Sequence, residues 1–349
     1  MNLIKVFAYL LLPALIISGC GTKKYSSVGE NDEIIVICDS KECKLFQPEL
    51  KAIFEKEIAT PGMEKLLKLS YASIEQLSSF NRRKNLILIS TLSSTGETIQ
   101  QIKEILGETN IQRVQAGENF FYQIKNAWAY GQILLVFVAN TPDELKKRLL
   151  ENKNTLLNIF DDRLNQIALS ELYIKGEQHE LAREILTKYG CSLRLQHDYR
   201  IFYESEEERF FILFRDIPKR WITVGWFETD EPSLVTRDWC FEFRNKIFDK
   251  FEGNEEIDTR YTTVDEVDFN GKFALKLTGL YGGTLENGWP KVYGGPFRSY
   301  FFYEPADKRI YMVDYSVFAP DREKKDILRQ LDMMVHTFYT EKDFTKKGK

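Results

Sequence analysis

Five cysteines, three histidines and one stretch rich in glycine and aromatic residues carry most of the chemistry open to this 349-residue chain. Cys20 ends an apolar run and follows Ile17-Ser18-Gly19. Cys38 and Cys43 are spaced to close a small disulfide loop, and Cys191 with Cys240 could bridge distant segments. The alternative is four buried thiols acting as small hydrophobes. His179-Glu180-Leu181-Ala182-Arg183 falls one residue short of the zinc-protease helix pattern. Arg183 stands where a second imidazole must share the helix face, and a cation there repels metal. With only His197 and His336 besides, no metal site is expected. The chain has no G-x-S-x-G elbow, no S-x-x-K, no phosphate loop and no dinucleotide fingerprint, so no catalytic residue and no cofactor is assigned. The acidic groups Asp161-Asp162, Glu206-Glu207-Glu208 and Glu255-Glu256 sit in polar contexts and read as solvated faces or turns.

The stretch from 281 to 298 stands above this background. Its glycine pairs let backbone approach a ligand closely, and its aromatic rings offer flat faces to a sugar, a peptide or an acyl chain. The candidate ligand-binding residues are therefore Tyr281, Trp289, Tyr293, Gly294, Gly295, Phe297 and Arg298. The same residues also suit a strand connection whose aromatics fill the core between layers.

The elements that would position these groups begin with the first 19 residues. Lys5, an apolar run over 6–17 interrupted by Pro13, and small residues at 18 and 19 read as a signal peptide. The run falls short of the roughly 20 apolar residues that cross about 30 Å of hydrocarbon. Ile-Ser-Gly-Cys resembles the lipobox read by lipoprotein signal peptidase. That resemblance implies a diacylglycerol thioether on Cys20, cleavage before it, and a further palmitate-type chain on the freed amine. Each buried methylene contributes about 0.8 kcal/mol, so two or three chains hold firmly to a membrane. Residues 20–32 are polar and read as a flexible tether. No aspartate follows Cys20 and no acidic cluster comes after it. On general sorting rules this points to the periplasmic face of the cell outer membrane.

A composition of 43% hydrophobic and 29% charged residues describes an ordinary folded chain, and the net charge of −4 lacks the basic stripe that nucleic acid requires. Buried-strand runs fall at 33–38 and 86–90, with helical spacing at 45–57 and 98–106. A hairpin is expected from 119–125 and 132–139. Thr141-Pro142-Asp143-Glu144 then opens a helix with a threonine cap, an early proline and an acid three residues on. Helical pattern runs on to a stop at Gly190. Later come strands at 221–227 and 273–280 with a helix at 234–251 between them. Phe301-Phe302-Tyr303, a strand at 310–318, Ala319-Pro320-Asp321 and a final helix then replay the order of the earlier hairpin and helix. The expectation is an α+β protein of two similar halves, 33–190 and 191–345, each a mainly antiparallel sheet covered by helices.

Asn31-Asp32-Glu33-Ile34-Ile35-Val36, Thr60-Pro61-Gly62, Arg83-Lys84-Asn85-Leu86-Ile87, Thr236-Arg237-Asp238, Thr278-Gly279-Leu280-Tyr281, Gly294-Gly295-Pro296-Phe297 and Phe318-Ala319-Pro320 with Leu328-Arg329-Gln330-Leu331 resemble the Domain of Unknown Function 4837 family. Tyr281 replaces that family's usual tryptophan, and Tyr293 stands where methionine is frequent. The resemblance covers almost all of the chain beyond the tether. It implies an envelope lipoprotein and assigns no activity. The expected function is therefore a membrane-anchored, non-catalytic binding or assembly factor with an envelope protein or glycan as partner. The alternative is an envelope hydrolase acting on glycan or peptide.

Overall fold

A computed structural model describes residues 24–250, 256–282 and 294–343. Cys20, Trp289 and Tyr293 lie outside the described residues.

The N-terminal domain is built on strands that are apolar on both faces. β1 (Glu33–Ile37), β2 (Lys68–Ala72), β3 (Asn85–Thr91), β4 (Phe121–Lys125) and β5 (Ile133–Ala139) form a sheet in the order β2-β1-β3-β5-β4. Every residue of β3 and β5 is buried. Alternate side chains serve opposite layers. Ile34, Val36, Ile87, Ile89, Leu135 and Phe137 meet α1 (Ser40–Phe54), α3 (Pro142–Glu151) and α4 (Lys153–Leu172). Ile35, Ile37, Leu86, Leu88, Leu134 and Val136 meet α2 (Glu97–Gln115), which bends at Gly107, where φ is +72°.

The C-terminal domain is a second sheet: β6 (Arg200–Ser205), β7 (Phe210–Arg215), β8 (Lys219–Glu228), β9 (Glu256–Phe269), β10 (Lys272–Gly282), β11 (Gly295–Glu304) and β12 (Arg309–Phe318). Its order is β9-β10-β11-β12-β8-β7-β6, antiparallel throughout. α5 (His179–Tyr189) and α7 (Lys325–Val335) cover one face, and α6 (Arg237–Phe248) covers the other.

The α+β expectation holds, and over the described molecule antiparallel pairs prevail. The N-terminal sheet departs from the expected pattern, because three of its four pairs are parallel and only β4–β5 is antiparallel. Parallel neighbours need crossover helices, which cover both faces and so demand apolar strands without alternation. What recurs between the halves is a local unit of hairpin then helix, β4-β5-α3 and β11-β12-α7. Helix α5, expected to close the first half, belongs to the second. Ile185 and Tyr189 join the C-terminal core, with Tyr189 stacked on Phe211 at 5.1 Å.

Local signals behave as their chemistry dictates. The Thr141 hydroxyl accepts from the Glu144 N–H at 3.3 Å with Pro142 in the first turn, and Gly190 ends α5 at φ +74°. The segment 24–32, expected within the flexible tether, is paired instead. Ser27 N–H donates to the Tyr130 carbonyl (2.8 Å), Val28 N–H to the Arg82 carbonyl (2.8 Å), and Tyr130 N–H to the Tyr25 carbonyl (2.9 Å). The domains meet along α7. Glu64 accepts from the Lys324 and Lys325 backbone N–H groups at its start, Asp32 pairs with Lys325, and Asp161 pairs with Arg329 at 2.7 Å.

Candidate functional site

Among the described residues, Arg298 is the one expected ligand residue that the fold directs toward a polar site. Along β11 the side chains alternate, so Phe297, Ser299 and Phe301 face α6 while Arg298 and Tyr300 face α7. Across the ladder Arg298 lies opposite Tyr315 of β12, and Tyr300 lies opposite Lys276 of β10. Helix α7 lowers Asp332 onto this patch from a stripe that includes Lys325, Arg329 and, one turn past Asp332, His336. The Asp332 Oδ1 accepts from the Tyr300 hydroxyl at 2.6 Å and the Tyr315 hydroxyl at 2.5 Å. Arg298 Nη1 stands 3.6 Å from the same oxygen and donates to the Tyr315 hydroxyl at 3.1 Å. Lys276 Nζ is 4.0 Å away. His336 Nδ1–H donates to the Asp332 carbonyl at 2.7 Å, and its ring packs on Phe269 and Tyr300.

Burial alone would raise the Asp332 carboxyl, but the charges of Lys276 and Arg298 and the Tyr300 hydroxyl hold it down at about 2. Burial pushes both tyrosine hydroxyls far above their usual range, with Asp332 adding to the effect, so they stay protonated donors. It also lowers the Lys276 ammonium; Asp332 and Asp265 oppose that shift, while Arg298 and Lys56 of the N-terminal domain reinforce it. Two cations, Lys276 and Arg298, thus stand within 4.0 Å of one carboxylate oxygen, leaving one positive charge in excess around it. Asp332 already takes two hydroxyl donors, whereas the Lys276 and Arg298 side chains keep 21% and 19% of their surface exposed. Such an arrangement can receive an anionic group, and Arg298 offers the planar fork that suits carboxylate or phosphate.

The other described ligand candidates, Tyr281, Gly294, Gly295 and Phe297, serve the core. Tyr281 is buried among Leu277, Phe297 and Ile257 and donates its hydroxyl to the Val317 carbonyl at 3.2 Å. Phe297 is fully buried beneath the Arg244 guanidinium, 3.9 Å from its ring. Gly294 and Gly295 allow close strand approach. A Cβ would lie 2.6 Å from the Tyr281 carbonyl oxygen in the first case and 1.9 Å from that of Val317 in the second. The core reading of this stretch therefore displaces the aromatic platform at the positions described.

The cysteines divide. Cys38 and Cys43 are disulfide-bonded, whereas Cys191 and Cys240 are free, buried and unpaired with each other. They lie on opposite faces of the C-terminal sheet, in separate cores, so of the two readings for this pair the buried thiols hold and the possible bridge does not form. On the α6 face Arg244 and Asp314 form an ion pair at 2.8 Å with neither side chain exposed. Burial raises Asp314 while Arg244 and Ser299 draw it back. His179 and His197 sit near Glu177 and Asp198 at the surface. Among the described residues no group of three His, Cys, Asp or Glu side chains could hold a metal ion.

Lys276, Tyr300, Tyr315 and Asp332 were not singled out by the sequence, and His336 was expected to have only a structural or surface role. The signal available was the polar stripe at 325, 329 and 332 of the last helix, continued by His336 at its C-cap, facing strand positions of matching parity.

With this geometry in place, comparison with known proteins separates the two halves. Residues 178–337 match the Domain of unknown function family DUF4837. That match spans the C-terminal domain. Residues 27–171 match a different family, Domain of unknown function DUF8532, so the expected DUF4837 resemblance over nearly the whole chain narrows to the second domain. The DUF4837 match takes in α5 and the whole Asp332 cluster. No curated protein matches the chain. Among solved structures, the Saccharomyces cerevisiae Ran-binding protein Mog1p is 14% identical, covering 44% of this chain and 90% of its own at a TM-score of 0.31. A Bacteroides thetaiotaomicron protein is 9% identical, covering 43% and 45% at a TM-score of 0.25. Likeness at this level carries no functional argument.

Proposed function

We propose that the protein is a lipid-anchored component of the cell envelope that works by binding, with the Asp332 cluster of its C-terminal domain receiving an acidic group on a glycan or protein partner. The anchor is the Cys20 thiol, and the location is the periplasmic face of the outer membrane. The observation that carries the binding reading is the excess positive charge at Arg298 and Lys276 beside a carboxylate already engaged by two tyrosine hydroxyls. A guanidinium held by Tyr315 and Asp332 has lost its freedom before a ligand arrives, which lowers the cost of pairing with a carboxylate.

The test is calorimetric titration of the chain with a uronic-acid oligosaccharide, a glutamate-rich peptide and a neutral oligosaccharide. An acidic probe should bind and the neutral one should not, and Arg298→Gln should weaken binding at least tenfold while near-ultraviolet dichroism shows an intact fold. Equal binding of neutral and acidic probes, or indifference to Arg298→Gln, overturns this reading. Product release from any probe would favour the hydrolase instead. Membrane fractionation of wild type and Cys20→Ser tests the anchor separately, since only the lipidated chain should resist a high-salt wash.

A further inference from the structure

The N-terminal edge of the parallel sheet gathers an exposed aromatic and basic surface at the point where the chain leads back toward Cys20. β1, β3 and β5 all begin at this edge, and the segment 25–28 is paired across the residues just before β3 and β5, with bridges from Ser26 to Tyr130 and from Val28 to Arg83. Tyr25 is 68% exposed and Tyr130 58%, and Val28 lies exposed between them in sequence. The Arg82 guanidinium sits 5.0 Å from the centre of the Tyr25 ring and donates to the Ser26 carbonyl. Lys24 donates to the Asn126 carbonyl at 2.7 Å. Arg83 is matched by Glu33 at 3.7 Å, but Lys24 and Arg82 enter no ion pair among the described residues. An amphipathic ring beside an unpaired cation is the combination that settles at a membrane–water interface.

We infer that this edge docks on the headgroup layer of the bilayer that holds the anchor, with Tyr25 and Tyr130 entering the interface and Lys24 and Arg82 meeting anionic headgroups. The inference rests on the lipid-anchor reading above. Chain length supplies the argument for this occupant. Four residues lie between Cys20 and Tyr25, and the five residue-to-residue steps, at about 3.6 Å each, reach no farther than about 18 Å. Since pairing begins at Tyr25, the domain has no long tether with which to leave the surface. Strands of seven residues place the opposite edge, with the ends of β3 and β5, about 23 Å farther out. The C-terminal ends of the strands therefore face away from the bilayer.

The experiment uses the full chain, processed in a Gram-negative host and reconstituted into vesicles containing about one third anionic lipid. A benzophenone amino acid is placed singly at Tyr25, Tyr130, Phe202 or Phe273, the last two being exposed aromatics of the C-terminal domain. After irradiation, mass spectrometry should find lipid adducts at positions 25 and 130 and few or none at 202 and 273. The double variant Tyr25→Ser/Tyr130→Ser should remain anchored while hydrogen exchange over 24–30 and 126–131 rises to the level of the Cys20→Ser protein free in solution. Absence of lipid adducts at 25 and 130 in a chain whose vesicle binding depends on Cys20 overturns the docking inference and leaves the anchor standing. Vesicle binding that does not depend on Cys20 overturns the anchor itself, whatever the adduct pattern.

Discussion

Replacing Asp332 by asparagine keeps the shape of the cluster and removes its charge, so it isolates what that charge contributes. In the native protein Oδ1 accepts from Tyr300 and Tyr315 at 2.6 and 2.5 Å, with Arg298 at 3.6 Å and Lys276 at 4.0 Å. Hydrogen bonds to a charged acceptor are roughly twice as strong as neutral ones, and a charge left inside without its partner is costly. Losing the charge-assisted share of two bonds and leaving two cations unbalanced should cost about 3 kcal/mol. For a domain of this size that corresponds to a fall of about 6 to 12 °C in Tm. The folded carboxyl is held at about 2, below the 3.8 expected of an exposed aspartate. Its stabilisation, about 2 kcal/mol by linkage, is therefore complete above the unfolded value and disappears as pH falls toward 2. Urea unfolding followed by tryptophan fluorescence should show a gap between wild type and Asp332→Asn that is constant from pH 8 to 5 and closes below pH 4. A gap under about 1 kcal/mol at pH 7, or one already closing at pH 6, would refute the reasoning.

Other consequences are as direct. Arg244→Leu and Asp314→Leu should each destabilise by about 3 to 5 kcal/mol, and the double variant by less than either, because each single change strands a fully buried charge; a double-mutant cycle by chemical denaturation reads this coupling. Gly295→Ala should lower stability by about 1 to 3 kcal/mol, since a Cβ would meet the Val317 carbonyl oxygen at 1.9 Å; Gly282→Ala, with open space around it, supplies the control by thermal melting. Thiol labelling of the native protein should leave Cys191 and Cys240 unmodified, because burial raises both thiols, that of Cys240 to about 12, and denaturant should expose the two together.

Signals acting over a few residues could be read directly from the chain. The Thr141 cap, the Gly190 stop and the hairpin-and-helix unit each depend on neighbours in sequence, whereas the spacing of Cys38 and Cys43 left a disulfide and two buried thiols both open. Strand pairing was legible only where a short turn joins the partners, as in β4–β5 or β11–β12. The parallel order β2-β1-β3-β5 was hidden, because an apolar run such as Ile34 to Ile37 announces burial on both faces without naming its neighbours. The glycines and aromatics of the 281–298 stretch were visible by type, but a type does not say which face of a sheet receives it. Alternation along β11 sends Phe297 into the core and Arg298, its neighbour, to the polar site.

The sequence by itself determined the mixed α+β class, the helix start at Thr141 and the helix stop at Gly190, since each rests on composition or on residues adjacent in the chain. Only the tertiary structure decided that Lys276, Arg298, Tyr300, Tyr315 and Asp332 share one oxygen-centred cluster. Those groups come from three strands and a helix, and their meeting depends on sheet register and on the angle at which α7 crosses it. Tertiary pairing likewise turned residues 25–28 from tether into part of the domain. Their backbone N–H and carbonyl groups find partners in Arg82, Lys84 and Tyr130, residues that only the parallel sheet brings to the same edge.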